Sequence, residues 1–176
     1  VKGIAGLHGL KDLSMTTNGT LLSKYAESLR SNGLMRVNVN IPTLDNETYH
    51  RLTGGNLQEV LNGIEAAIKA GLNPVKLNML VLKGVNVKDI SEMIRFASES
   101  GAILQLIELE PVNVSSAYFE RYHCALDEQE VELKNKAAKI ETRGDMQNRR
   151  IYHLPNVKVE VIHPIENTEF CARCTR

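Results

Sequence analysis

The chain has 176 residues, 43% of them hydrophobic and 24% charged, and its 21 basic residues are balanced by 21 acidic ones. That size and balance fit a globular unit able to bury a sizeable core, and they exclude an intrinsically disordered chain. A net charge of zero gives no general attraction to nucleic acid or to an anionic membrane, so any anion site must be built locally.

In chain order, the spacing predicts a strand over Leu13–Thr17, stopped by Asn18-Gly19. A helix follows from Leu21 to Leu29, with Leu21, Leu22, Tyr25, Ala26 and Leu29 recurring at helical period. Asn32-Gly33 ends it, being the residues best able to take a left-handed turn. Val37–Ile41 reads as the next strand, closed by Pro42. Asp45 is placed to cap a short helix through about Leu52. Asn56 caps a longer one with the face Leu57, Val60, Leu61, Ile64, Ala67 and Ile68, and Gly71 stops it. Val75–Leu82 is a strand, Lys88–Ser100 a helix closed by Gly101, and Ile103–Leu109 a further strand ended by Pro111.

Strands alternating with helices imply βαβ crossovers and a parallel sheet. Four such units amount to half of an eight-stranded barrel or most of a smaller open one, with a complete doubly wound sheet as the alternative. After Pro111 the pattern changes. Asp127–Ile140 reads as a charged helix, Arg150–Leu154 and Val157–Ile162 as a hairpin, and Glu166–Arg176 as loop. The expected organisation is α/β: a partial parallel βα barrel over residues 1–110, then the start of an α+β extension over 111–176. Opening such a barrel leaves Leu13–Thr17 as an unpaired edge, where a second copy could pair to give a homodimer.

No apolar run reaches the ~20 residues of a membrane helix, and Val1–Gly6 lacks the charged leader and cleavage pattern of a signal peptide. Because the chain starts at Val1 rather than Met, it is read as an internal piece of a longer protein. Three cysteines, Cys124, Cys171 and Cys174, are too few and too unevenly spaced for a disulfide framework, and a CxxC pair suits a reducing cytoplasm.

In parallel βα architectures the working residues gather at the C-terminal ends of strands. Thr16-Thr17-Asn18-Gly19 could offer hydroxyls and backbone N–H groups there, or be a simple turn. Lys76 falls within a predicted buried strand, so its ammonium must meet a carboxylate, a phosphate or a cofactor, or the amine serve as a Schiff-base former, unless it reaches solvent at the strand end. Asn38 and Asn40 share one sheet face. Glu108 and Glu110 could supply a general base, though a salt bridge is the simpler account of either. Cys171 and Cys174 suit zinc, an iron–sulfur cluster or redox chemistry, but a metal site needs further ligands. Cys124 reads as a packed residue.

Taken together and in order, several landmarks resemble the radical S-adenosylmethionine GTP 3′,8-cyclases of molybdenum-cofactor biosynthesis, in their archaeal style. These are Leu13–Leu22, Arg36–Val39, Gly54–Leu57, Ala70–Asn78, Lys83–Asn86, Gln105–Leu109 and Phe170–Arg176. The resemblance implies two 4Fe–4S clusters and S-adenosylmethionine as cofactors, with an electron donor to reduce the cluster. GTP is the implied substrate, converted to (8S)-3′,8-cyclo-7,8-dihydroguanosine 5′-triphosphate through a 5′-deoxyadenosyl radical.

The resemblance makes Thr16, Lys76 and Arg176 contacts to GTP, and Cys171 and Cys174 ligands of the C-terminal cluster. Asn40 stands where the family usually has a serine against S-adenosylmethionine, Glu110 where a methionine is common, and Gln105 where many bacterial members have arginine. No CxxxCxxC occurs in the chain, nor does the Gly-Gly-Glu-Pro strand that grips S-adenosylmethionine, so the isolated chain is expected to be inactive. The alternatives are a degenerate barrel that binds nucleotide or metal without radical chemistry, and an aldolase-like barrel with Lys76 as Schiff-base former.

Overall fold

The computed structural model describes residues 1–111, 114–143 and 149–163. Its strands are Ser14–Thr17 (β1), Arg36–Asn40 (β2), Val75–Val81 (β3), Ile103–Glu108 (β4), Lys139–Arg143 (β5), Arg149–His153 (β6) and Lys158–Ile162 (β7). They form one sheet in the order β1-β2-β3-β4-β7-β6-β5. Neighbours from β1 to β4, and the pair β4 and β7, run parallel. β6 and β5 continue the sheet as antiparallel strands. The helices are Lys2–Ala5 (α1), Leu22–Ser31 (α2), Asn46–Thr53 (α3), Leu57–Lys69 (α4), Ile90–Ser100 (α5), Ser116–Tyr122 (α6) and Asp127–Lys136 (α7).

The predicted caps do their work. The Asp45 carboxylate accepts the Thr48 N–H at 2.8 Å and the Asn56 side chain accepts the Gln58 N–H at 2.9 Å, each satisfying an orphan donor of a first helical turn. The period-2 alternation of the strands then divides the sheet. Val37, Val39, Leu77, Met79, Leu104 and Val159 are fully buried in the core formed with the helices, each contributing roughly 1.5–3 kcal/mol by leaving water. Their alternate neighbours face the other way, toward an open cleft whose described lining contains no helical residue. A doubly wound sheet would cover that face with helices; a piece of barrel leaves it free.

Two local contacts fix the core layer. Gly63 of α4 lies so close to the turn after β1 that a Cβ there would come within 2.2 Å of the Gly19 carbonyl oxygen. Asn86 is buried in the loop after β3, accepts the Leu82 N–H at 2.7 Å and donates to Pro42 O and Leu80 O, both at 2.8 Å. One amide thereby ties the ends of β2 and β3 together.

The chain departs from the sequence expectations after residue 110. The helix predicted over Asp127–Ile140 ends at Lys136, where Ala137 turns extended (φ −79°, ψ 131°). Lys139–Arg143 pairs instead with β6. α7 buries only Glu130 and Leu133 and leaves Val131 exposed, so its packing is too thin to hold the following residues against a strand partner. α6 was not predicted; Ser115 caps it by accepting the Tyr118 N–H at 3.1 Å. In α2, Leu22 and Ala26 are buried while Tyr25, and Leu21 just before the helix, stay exposed. The β6–β7 hairpin forms as expected and joins the sheet beside β4. β1 lies at one end of the sheet order, as the edge-strand expectation requires.

Candidate functional site

Alternation brings Thr16, Asn38, Lys76, Asn78, Gln105 and Glu160, from five strands, onto the open face, where they line a cleft of about 710 Å³. Lys76, 6% exposed, reaches past β4 to put Nζ 2.6 Å from Glu160 Oε1. Gln105 Nε2 donates to the other oxygen at 2.5 Å, and Arg149 Nη1 does so at 3.1 Å. Two cations therefore share one carboxylate. Burial would raise the Glu160 carboxyl, but Lys76, Gln105 and Arg149 together hold it below the usual carboxylate range. At Lys76 burial prevails, so its ammonium falls below the lysine range despite Glu160, and Arg149 and Arg143 add to that drop.

Around this centre Arg36 is held by Asp12 through Nε, at 3.0 and 2.9 Å to the two carboxylate oxygens. Counting the described lining, Arg36, Lys76, Arg143, Arg149 and Lys158 face Asp12, Glu141 and Glu160, a surplus of two positive charges. The side-chain oxygens of Asn38 and Asn78 are buried without a protein partner. Such orphaned amides await a ligand or ordered water. The cleft is thus a cationic, polar surface suited to an oxyanion with further hydrogen-bonding groups.

Of the residues singled out from sequence, Thr16, Asn38, Lys76 and Gln105 come together here. Asn40 lies beyond this lining, exposed at the end of β2, and accepts the Asn78 amide N–H at 3.1 Å. Glu110 is exposed past the end of β4. Glu108 points to the helix side, where its carboxylate meets His123 Nε2 at 2.5 Å and His163 Nδ1 at 2.7 Å. The salt-bridge account of Glu108 therefore holds. Cys171, Cys174 and Arg176 lie outside the described residues.

Sequence reasoning missed Glu160 and Arg149. Glu160 carried a signal, as a lone acid in Val159-Glu160-Val161-Ile162, the mirror of Lys76 in its own apolar strand. Among the described residues no group of three or more His, Cys, Asp or Glu side chains is arranged to hold a metal ion. The half-buried Cys124 packs against the core, its thiol raised by burial and then by Glu108 and Glu128. The described residues thus do not provide an iron–sulfur site. No helix among them is long and apolar enough to cross a membrane.

The sequence pattern of the Radical SAM superfamily matches residues 2–97. The chain belongs to the radical SAM superfamily. Two relatives of this radical SAM chain, both called "Probable GTP 3′,8-cyclase", come from Methanothermobacter thermautotrophicus and Methanothermobacter marburgensis. They are 45% and 47% identical over 170 residues, covering 96% of this chain and 56% of each relative. One from Archaeoglobus fulgidus is 44% identical over 98% of this chain and 59% of its own length. The chain thus spans about half the length of the curated relatives it matches. Among solved structures, Streptococcus suis SuiB bound to S-adenosylmethionine is similar with a TM-score of 0.51 at 18% identity, over 69% of this chain and 28% of that one. That likeness concerns the fold.

Proposed function

We infer that the chain is the part of a GTP 3′,8-cyclase that seats the substrate's phosphates on the open face of the sheet. The observation that carries this reading is the sharing of one carboxylate, Glu160, by Lys76 and Arg149, which leaves positive charge in the cleft for an anion. The cyclase relatives support GTP as the source of that anion. In this reading Thr16 and Lys76 meet GTP from the cleft and Arg176 joins them. Cys171 and Cys174 hold part of a 4Fe–4S cluster, and Asn40 and Glu110 stand at the S-adenosylmethionine end. Residues 1–110 supply part of the barrel and residues 111–176 the start of the extension, although β7 of the latter is hydrogen-bonded into the sheet beside β4.

The complete cytoplasmic enzyme, served by an electron donor, converts GTP to (8S)-3′,8-cyclo-7,8-dihydroguanosine 5′-triphosphate by 5′-deoxyadenosyl radical chemistry, the first step of molybdopterin synthesis. The chain alone, with no CxxxCxxC, performs no turnover.

Equilibrium binding of GTP to the complete protein tests the reading. Lys76→Met removes a charge-assisted contact of about 1.5–3 kcal/mol and is expected to weaken GTP by roughly 10- to 100-fold. Unchanged affinity would sink it. A second reading, a barrel that binds nucleotide without radical chemistry, is favoured by Asn40, whose side-chain oxygen is already engaged by Asn78. GTP bound by a cluster-loaded protein that forms no 5′-deoxyadenosine would mark that case.

A further inference from the structure

Glu160 is 2% exposed and gives both of its oxygens to donors from three other strands: Lys76 on β3, Gln105 on β4 and Arg149 on β6. A buried ammonium is driven to shed its proton, and a second cation nearby adds to that drive. Around Lys76 the remaining charges give it little help. Arg36 of β2 is held by Asp12, and Glu141 of β5 is engaged by Lys139 and by His153 of β6. Arg143 of β5 and Lys158 of β7 are further cations in the same lining. The carboxylate in direct contact with Lys76 is Glu160.

We propose that Glu160 is a positioning residue of the phosphate seat, which keeps Lys76 protonated and laid across β4 so that an arriving phosphate meets a cation. The inference rests on the reading of the cleft as a phosphate seat. The directions of both groups agree with it: burial pulls the Lys76 ammonium down against the support of Glu160, while the Glu160 carboxyl is held low. Without Glu160, phosphate binding would first require Lys76 to take up a proton.

The test is binding of inorganic tripolyphosphate to the complete protein from about pH 6 to 9. Each variant is expressed as a ratio to wild type at the same pH, which cancels the ligand's own titration. For Glu160→Gln the ratio is expected to fall with rising pH, approaching about tenfold per pH unit, the signature of one linked proton. Glu160→Asp keeps the charge and should stay flat. Lys76→Arg placed in the Glu160→Gln background should also be flat, because a guanidinium does not deprotonate in this range.

A uniform loss at every pH for Glu160→Gln, with wild-type binding intact, overturns this inference alone and leaves Glu160 a structural residue. Absence of wild-type binding overturns the phosphate seat and the inference with it. Should Glu160→Gln fail to fold, nitrogen NMR of the Lys76 side chain in the unsubstituted protein decides the matter. An ammonium near neutral pH supports the proposal and a neutral amine overturns it.

Discussion

On the helix side of the sheet, His163 bridges two carboxylates, with Nδ1 2.7 Å from Glu108 at the end of β4 and Nε2 3.2 Å from Glu130 on α7. Glu130 raises its imidazole most, burial works against it, and Glu108 adds to the rise, leaving it at about 9 against an ordinary 6.5. Because the folded value lies above the unfolded one, this stabilisation is complete below about pH 6.5 and is lost as pH rises through about 9. At ~1.4 kcal/mol per pH unit the gap sets a ceiling of about 3 kcal/mol, and solvent screening at the cluster's edge reduces it to roughly 1–2 kcal/mol.

Other groups also meet the cluster. His123 also faces Glu108, Arg150 pairs with Glu130, and the Tyr152 phenol, which donates to Glu130, is pushed up to about 12 and stays silent in this range. Urea unfolding from about pH 6 to 10 should show wild-type stability declining between about pH 6.5 and 9 and levelling off above that. His163→Gln should start roughly 1–2 kcal/mol lower and run flatter. A His163→Gln chain that retains that slope would refute the assignment of the linked proton to His163.

Two further outcomes follow from packing and hydrogen bonding. Gly63→Ala should destabilise by about 1–3 kcal/mol or more, since its methyl group would collide with the Gly19 carbonyl rather than with a side chain that can move; a neutral effect on the urea midpoint would show that α4 does not sit this close to the β1 turn. Asn86→Leu should cost about 2–4 kcal/mol, because it strips partners from the Leu82 N–H and from the Pro42 and Leu80 carbonyls; its thermal midpoint should fall well below that of an exposed control such as Asn62→Leu.

The sequence rules read the βα portion well because there they describe local physics. Asp45 and Asn56 cap the helices they were expected to cap, and Gly101 closes α5 in a left-handed conformation. Val37, Val39 and Ile41 are buried on one side while Asn38 turns to the other, as period-2 alternation demands. Beyond Pro111 the deciding interactions are not local. Lys139–Arg143 becomes a strand because β6 is beside it, and nothing in its charged, weakly apolar sequence announces that partner.

The candidate site divides along the same line. Lys76 could be suspected from sequence because a cation in a buried strand requires a partner, but that partner lies 84 residues away, on a strand that reaches the sheet through an antiparallel hairpin. Knowing the parallel order β1 to β4 would not have placed Glu160 beside Gln105; that depends on β7 docking against β4 in the register Gln105↔Glu160. The consequence reaches function. A lysine taken alone suggests a phosphate ligand or a Schiff base equally well, whereas a carboxylate 2.6 Å from Lys76 and shared with Arg149 supports the ammonium form against the drop that burial imposes, and an ammonium is no nucleophile. The partner, more than the lysine, therefore decides between those chemistries, and it favours electrostatic recognition of an anion over covalent catalysis.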